Sequence, residues 1–399
     1  MPLRSGLSGN TVLLCCFFHK QSKINYPKPS KHPINHMLHP FNHSKQRHLY
    51  QKTTFMKNLN PTMLQLLPIK KQQLLFVLIS GMMALGCGRK TQSITTATNR
   101  QWQEVIATDG SKPVARHEAA FVGIKDKMYL LGGRGIRPVS IFDTQTKKWT
   151  LGAKTPIELH HFQPVVYQDK VYIIGALTGQ YPAEVPVPVI YIYNSTTNTW
   201  STGDTIPPAR LRGSTGNVIQ NGIVYLSCGI TNGHIDGHQK EMDSYNIKTS
   251  EWKVLPDAPR SRDHFQAVVA KNKIYVLGGR LSQAPQKTFS ETIAEVDVFD
   301  IKKNTWETIK NPIPNQRAGT FATFFNNKIL VIGGESIRQN QAHHEIDALD
   351  IDTNTWSVYP HLITGRHGTG VVTYKNQLYI ASGCGNRGGS PELQTMEKY

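Results

Sequence analysis

The heptapeptide KIYVLGG at residues 273–279 decides the fold, because close copies of it recur along the chain. KMYLLGG occupies residues 127–133, and KILVIGG occupies residues 328–334. Six such segments are each anchored on a tyrosine or a leucine, at Tyr129, Tyr172, Tyr225, Tyr275, Leu330 and Tyr379. The anchors lie 43 to 55 residues apart. A period of roughly 50 residues predicts an architecture built from repeated units.

Each repeat carries the signals of four short strands. The anchored strand ends at a pair of small residues, which permits a tight turn. Further along, an aromatic residue or a leucine precedes a tryptophan by seven positions, with an Asp or Asn in the turn between them. These pairs are Phe142 with Trp149, Tyr193 with Trp200, Tyr245 with Trp252, Phe299 with Trp306, and Leu349 with Trp356. We therefore predict an all-β protein of six radially arranged blades with four antiparallel strands each, a β-propeller.

The sixth repeat lacks the tryptophan that the other five carry. Its aromatic position is filled by Tyr399, whereas Trp102 precedes the first repeat in the strand-like segment QWQEVI at residues 101–106. We predict that the N-terminal strand around Trp102 completes the last blade, which leaves only short edges. The alternative is that Trp102 belongs to a linker and that the last blade has three strands.

The pattern resembles the kelch repeat, whose signature is an apolar run, a Gly-Gly pair, and a Tyr and a Trp separated by six residues. The resemblance covers residues 101–399 of the 399-residue chain. It implies a six-bladed kelch-type β-propeller. Kelch propellers include both enzymes and binding modules, so the resemblance leaves the function open.

The first 87 residues differ in composition from the rest of the chain. They contain eleven Lys and Arg residues and no Asp or Glu, and so carry +11 of the formal net charge of +18. The remainder therefore carries only +7, and it has no basic stripe interleaved with aromatic residues. For this reason we expect no nucleic-acid partner, despite a pI of about 9.6.

An export signal is predicted at residues 56–87. Lys70 and Lys71 precede an apolar run of thirteen residues, which is short for a membrane span and typical of a secretory signal. The run Ala84-Leu85-Gly86-Cys87 resembles a bacterial lipobox, which implies lipidation of Cys87 and an exported bacterial lipoprotein in the periplasm or on the outer membrane. An ordinary signal peptide with an incidental cysteine is the alternative.

The other boundaries follow from composition. Residues 1–55 are interpreted as an over-extended start or a disordered cationic extension, residues 88–100 as a linker, and residues 101–399 as the propeller. The first segment also holds six histidines that could bind metal, although we favour no such role: His19, His32, His36, His39, His43 and His48.

The residue thirteen positions before each anchor opens the innermost strand of its blade. It is an arginine in five repeats, at Arg116, Arg212, Arg262, Arg317 and Arg366, and Leu159 in the other. Histidines occupy the next two positions in several repeats, at His117, His160, His161, His264 and His367. The start of the first strand and the end of the second lie on the same face of the disc. We therefore predict that these side chains surround one mouth of the central channel.

The loops after the small pairs should meet at the same mouth, and loops on a rigid scaffold commonly carry binding sites. They add Arg280, His234 and His238 to the predicted ligand-binding residues, and they also contain Glu335. Arginine suits carboxylate, phosphate or vicinal hydroxyl groups, and histidine suits proton transfer or metal binding. A structural role for the arginines, which in kelch-type blades often bond the blade backbone, is the open alternative. The His234–His238 spacing on a loop is weak evidence for a metal, so we predict no metal or other cofactor.

Three functions fit this mouth. The first is a lipid-tethered monomer that binds a glycan or another anionic or polyhydroxylated ligand there. The second is a carbohydrate-active enzyme. Resemblance to sialate mutarotase implies proton donors and acceptors, for which Asp263, His264 and Glu335 are the candidates; resemblance to galactose oxidase is weaker, since the chain has no Tyr-His dipeptide. The third is a protein-interaction scaffold.

Overall fold

The protein, described over residues 100–399 by a computed structural model, is an all-β propeller of six blades. This confirms the predicted fold class. The predictions for residues 1–55, for the signal segment 56–87 with its lipidated Cys87, and for residues 88–99 of the linker lie outside the described residues. Within the described part, no helix is long and apolar enough to cross a membrane.

Each blade is a four-stranded antiparallel sheet. From the inside outward, blade 1 comprises Ala119–Ile124, Lys127–Gly132, Pro138–Asp143 and Lys148–Lys154. Blade 2 comprises Val165–Tyr167, Lys170–Ile173, Val189–Asn194 and Thr199–Thr205, with a small extra hairpin of Leu177–Thr178 and Val185–Pro186. Blade 3 comprises Gly216–Gln220, Ile223–Asn232, Asp236–Asn246 and Glu251–Leu255.

The remaining blades follow the same order. Blade 4 comprises Gln266–Ala270, Lys273–Leu277, Asp297–Asp300 and Thr305–Thr308. Blade 5 comprises Phe321–Phe325, Lys328–Ile332, Ile346–Asp350 and Thr355–Tyr359. Blade 6 comprises Val371–Tyr374, Gln377–Ala381, Met396–Lys398 and Gln103–Glu104. A short 3-10 helix, Pro208–Arg210, precedes blade 3.

The strand around Trp102 closes the ring as predicted. Gln103 pairs with Lys398 and Glu104 with Glu397, so the first strand forms the outer edge of blade 6. Trp102 is buried, and its indole Nε1 donates a hydrogen bond to the Pro360 carbonyl over 2.9 Å. The chain thus joins both of its propeller ends in one sheet.

The apolar core lies between the blades. It comprises six clusters, and each cluster combines residues of two neighbouring blades. One example joins Tyr129 of blade 1 to Tyr193 of blade 2, with ring centroids 5.9 Å apart. A single blade cannot bury both of its faces, so the packing between neighbouring blades stabilises the ring.

A belt of hydrogen bonds surrounds the channel where the innermost strands begin. One residue of each blade adopts a left-handed backbone there, with φ between 51° and 63°: Glu118, His161, Ser214, His264, Gly319 and Gly368. The His161 amide donates to the Glu118 carbonyl, and the Ser214 amide donates to the His161 carbonyl. Similar bonds continue around the ring, with the Ser214 hydroxyl accepting from the His264 amide. The belt fixes the backbone at these six positions, and with it the side chains of the four that are not glycine.

Two glutamines cross the channel beneath this belt. Gln163 of blade 2 accepts hydrogen bonds from the amides of Asn217 in blade 3 and Ala267 in blade 4. Gln266 of blade 4 accepts from the Ala322 amide in blade 5 and donates to the Thr369 carbonyl in blade 6. These side chains link blades that are not neighbours and lie across the passage below the mouth.

Candidate functional site

The mouth of the channel contains a cavity of about 280 Å³. Loops from all six blades contribute to its wall, and the belt residues Glu118 and His161 lie at its floor. Five of the residues predicted from the sequence line it: His117, His161, His234, Arg280 and Glu335. His264 lines the narrower channel immediately below.

The five repeated arginines lie inside the blades, away from the mouth. All five are buried, with at most 3% of each residue exposed. Each guanidinium donates to carbonyl groups of its own blade; Arg116, for example, reaches Gly132 over 3.1 Å and Pro138 over 2.7 Å. The placement of Arg116, Arg212, Arg262, Arg317 and Arg366 at the mouth is therefore corrected, because these side chains turn inward along the sheet, as the structural alternative described.

A carboxylate completes the arginine site in four of the five blades. Arg212 pairs with Asp243, Arg262 with Asp297, Arg317 with Asp347 and Arg366 with Glu397. Every one of these acids stands two residues before the aromatic or leucine position of its repeat, and Ser140 replaces it in blade 1. Blade 2 has neither partner, since Leu159 and Tyr191 occupy the two positions. The two positions are therefore replaced together in blade 2, and this paired replacement is visible in the sequence although the strand pattern alone does not point to it.

Three buried histidines form a triangle at the floor of the cavity. The ring centroids of His161, His234 and His264 lie 4.5 to 5.0 Å from one another. One nitrogen of each ring falls within 4.8 Å of the others, and the Nε2 atoms of His234 and His264 are 2.8 Å apart. Imidazole nitrogens at these separations can share a proton or hold a metal ion.

Each histidine of the triangle also contacts a carboxylate. Nδ1 of His234 lies 2.9 Å from Glu184, Nδ1 of His264 contacts Asp263, and Nε2 of His161 lies 3.2 Å from Glu118. Burial opposes ionisation of Glu184, but its contacts with His234 and Arg134 lower its pKa to about 2. Burial likewise opposes ionisation of Asp263, while His264 lowers its pKa to about 2. Both groups are therefore anionic at neutral pH.

The three candidate proton-transfer residues do not form one cluster. Asp263 contacts His264 and accepts a hydrogen bond from the Ser282 hydroxyl over 2.6 Å. Glu335 instead accepts from Arg280 over 2.5 Å and from the Gly388 amide over 2.9 Å. Burial opposes the charge on Glu335, but His367 and Arg280 lower its pKa to about 2. Only the Asp263–His264 pair is thus in direct contact.

The remaining predicted histidines do not line the cavity, but each contacts a residue near it. His160 contacts His161 through the two Nδ1 atoms at 2.6 Å, and burial lowers the pKa of His160 to about 4. His238 donates from Nε2 to the Ser282 carbonyl over 2.9 Å. His367 is buried with Glu335 and Glu118 beside it. Burial alone would lower its pKa, yet Glu335, a hydrogen bond with Cys384, and Glu118 raise it to about 10. A pKa raised this far favours the protonated imidazolium at neutral pH.

Two aromatic side chains at the rim are absent from the ligand contacts that the sequence predicts. Tyr181 and Phe289 both line the cavity, and the Tyr181 hydroxyl lies 3.1 Å from the Thr288 hydroxyl. The guanidinium groups of Arg280 and Arg387 lie 5.1 and 5.4 Å from the centre of the Phe289 ring. Phe289 occupies a long loop with no repeat signal, so only the length of that loop marked the region.

Comparisons with known proteins agree on the repeat. The family model described as "Attractin/LZTR1 beta-propeller" matches residues 79–338, and the one described as "Kelch motif" matches residues 316–362. The solved structure of YjhT superposes with a TM-score of 0.61 and 17% sequence identity, covering 71% of this chain and 95% of that one. At this identity the likeness concerns the fold alone.

The curated relatives are longer proteins. Kelch-like protein terF of Aspergillus terreus is 27% identical over 312 residues, which cover 71% of this chain and 64% of that protein. Kelch-like protein 25 of Xenopus tropicalis is 25% identical over 232 residues, which cover 56% of this chain and 37% of that protein. The chain therefore spans less than two thirds of the length of these relatives.

Proposed function

The chain belongs to the Attractin/LZTR1 β-propeller family, which confirms the kelch-repeat resemblance, and we propose that it binds a small polyhydroxylated ligand, such as one sugar unit, in the cavity at the channel mouth. As a kelch-repeat propeller it is a general binding scaffold, on which loops determine what is bound. The observation that carries the proposal is the cavity itself, in which aromatic faces and hydrogen-bonding groups converge.

The size of the cavity supports a small ligand. At about 280 Å³ it lies just below the range of roughly 300–1,000 Å³ that is usual for drug-sized ligands. The apolar faces of Tyr181 and Phe289 can pack against the ring of a sugar.

The polar groups of the wall suit hydroxyl groups more than a bare anion. Arg134 and Arg280 line the cavity, but each is already paired with a buried carboxylate, Glu184 or Glu335, at 2.5 Å. Such pairs offer donors and acceptors side by side without excess charge. His117 adds a further group, since its Nδ1 contacts Glu392 while its Nε2 makes no hydrogen bond to another described residue. A neutral or singly acidic sugar matches this arrangement.

Titration calorimetry on the full chain tests the proposal, with galactose as the neutral probe and N-acetylneuraminic acid as the acidic one. We expect one of them to bind, and Phe289→Ala to weaken that binding by about tenfold or more because it removes the packing surface. Tyr374→Ala is the matched control, since Tyr374 ends the innermost strand of blade 6 at the face opposite the mouth. No binding of either probe, or equal affinity in Phe289→Ala, would refute the proposal.

A lipid anchor would place this binding site at a bacterial cell envelope. We retain the proposal that Cys87 is lipidated and the protein exported, on the basis of the basic pair, the apolar run and the lipobox-like residues before it. Metabolic labelling with a radioactive fatty acid tests this. Label should enter the wild-type protein and be absent from Cys87→Ser.

A second candidate function is proton transfer on the bound sugar. The contact between Asp263 and His264 favours this function. His264 lies directly below the cavity, and Asp263 can orient the His264 ring as a general acid or base. A proton-exchange assay on whichever sugar binds would detect it. His264→Gln should then abolish turnover while the affinity for the sugar is retained; turnover that survives this substitution excludes the role.

A further inference from the structure

We propose that His161, His234 and His264 form a binding site for a divalent transition-metal ion, with zinc as its representative, at the floor of the mouth cavity. The site uses the same cavity as the proposed sugar ligand, but the inference does not depend on that ligand. Two observations support the proposal. The three imidazoles approach one another closely, and a carboxylate contacts a ring nitrogen of each one.

The contact between His234 and His264 needs a positive charge. Nδ1 of His234 faces the Glu184 carboxylate and Nδ1 of His264 faces the Asp263 carboxylate, so both Nδ1 atoms carry the ring proton. The two Nε2 atoms then present lone pairs to each other across 2.8 Å. Something electrophilic must lie between them, either an additional proton or a metal ion.

The third histidine favours the metal. His161 brings its nitrogen within 4.8 Å of the other two, whereas a shared proton would need only a pair. Nitrogens bound to one tetrahedral zinc at 2.0–2.1 Å lie about 3.3 Å apart, so small side-chain rotations would complete the geometry. His161 is held by His160 at Nδ1 and Glu118 at Nε2, so one of these contacts must open when the ion binds.

The surroundings match those of imidazole-bound metals. A ligating histidine ordinarily donates a hydrogen bond from the N–H of its other ring nitrogen to a carboxylate, which fixes the ring and raises its basicity. Imidazole ligands suit zinc, copper and nickel. His161 and His234 also line the mouth cavity, so the fourth position of the ion would be open towards it. A ligand oxygen or a water molecule could occupy that position.

Zinc binding should be measured on the full chain, purified without an affinity tag, stripped with a chelator and titrated with zinc in the absence of any sugar. The histidines of residues 1–55 can also bind metal, so the readout is the difference between variants. We expect wild type to bind one more zinc ion than His234→Gln or His264→Gln. Glu184→Gln should retain the site with 10- to 100-fold weaker affinity.

His344→Ala is the matched control, because it removes an exposed imidazole of blade 5 outside the triangle. It should bind zinc like wild type. Circular dichroism establishes that each variant is folded, and the absorption of the cobalt-loaded wild type provides a measurement that needs no variant: strong visible bands mark a tetrahedral nitrogen site. Equal zinc stoichiometry in wild type and folded His234→Gln, or weak octahedral bands alone, would overturn the proposal. Sugar binding in chelator-treated protein is a separate result, so the two proposals can fail independently.

Discussion

Arg262 and Asp297 form a fully buried ion pair, in which Arg262 Nη2 donates to Asp297 Oδ2 over 2.6 Å. Arg262 also donates from Nη1 to the Gly278 carbonyl over 2.8 Å, at the end of the second strand. The pair therefore ties the entrance of the first strand to the second and third strands of the same blade. The equivalent positions of blade 2 hold Leu159 and Tyr191, both within one apolar cluster.

Breaking this pair on one side should destabilise blade 4. Removing one partner of a buried ion pair typically costs about 3–5 kcal/mol, because the other charge is left uncompensated. We expect that loss in the free energy of unfolding of Asp297→Tyr, measured by urea denaturation. Arg262→Leu should cost less, because Arg260 Nε also lies 2.9 Å from Asp297 Oδ2 and still faces that carboxylate. The double variant, which recreates the blade 2 pair, should lose less than the sum of the two single changes. Strict additivity would show that the two side chains are not coupled.

The closing strand makes a separate prediction. Trp102 packs against Tyr399, with ring centroids 5.6 Å apart, and is nearly fully buried. Trp102→Ala should therefore lower the free energy of unfolding by about 3–5 kcal/mol, as large aromatic deletions do. Ile106→Ala is the control, because Ile106 is 75% exposed and should change stability by less than about 0.5 kcal/mol. Equal effects of the two substitutions would mean that the strand around Trp102 does not secure the ring.

The sequence predicted the blades because their signal is repeated. Each anchor, small pair and aromatic–tryptophan spacing reports the same hairpins, so one irregular copy does not obscure the period. The sixth repeat lacks a tryptophan, and Trp102 is the tryptophan that no other repeat accounts for. This combination predicted that the strand around Trp102 closes the ring. Spacing along a strand thus fixes which residues share a sheet and which end of the disc they occupy.

Spacing did not predict the direction of the arginine side chains. Arg262 and His264 open the same strand, yet Arg262 turns into its own blade while His264 lies in the channel. The difference depends on the acid at Asp297 and on the left-handed backbone at His264, with φ of 55°. The contact of His234 with His264 was unpredictable for a different reason. It depends on the conformation of the loop that contains His234, and the repeat pattern carries no information on that conformation.

The glutamine that crosses the channel should also be needed for stability. Gln163 accepts hydrogen bonds from the Asn217 and Ala267 amides and donates to the Ala267 carbonyl over 2.8 Å. Gln163→Leu would leave these backbone groups without a partner, at about 1–3 kcal/mol for each buried group. We expect a clear fall in the melting temperature by calorimetry. Gln145→Leu, on an exposed turn, should leave it within about a degree; a similar melting temperature for both variants would contradict this role.

His367 should make stability depend on alkaline pH. The His367 ring faces the carboxylates of Glu335 and Glu118 and the thiol of Cys384. Together these three groups raise the pKa of His367 from its ordinary value of 6.5 to about 10. Because the folded pKa is the higher one, the folded state binds the extra proton. The stabilisation is therefore complete below pH 6.5 and is lost as the pH rises through about 10. Urea unfolding of wild type from pH 6 to pH 10 should show this decline.

The matching variant is His367→Gln, which cannot take up the proton. Its free energy of unfolding should be lower than that of wild type at pH 6, and the difference between the two proteins should shrink towards pH 10. The slope is the informative quantity, because the loss of the hydrogen bonds from Nε2 to the Asn386 and Gly388 carbonyls lowers stability at every pH. A difference that stays constant across this range would mean that His367 is neutral in the folded protein, and that Glu335 is balanced by Arg280 alone.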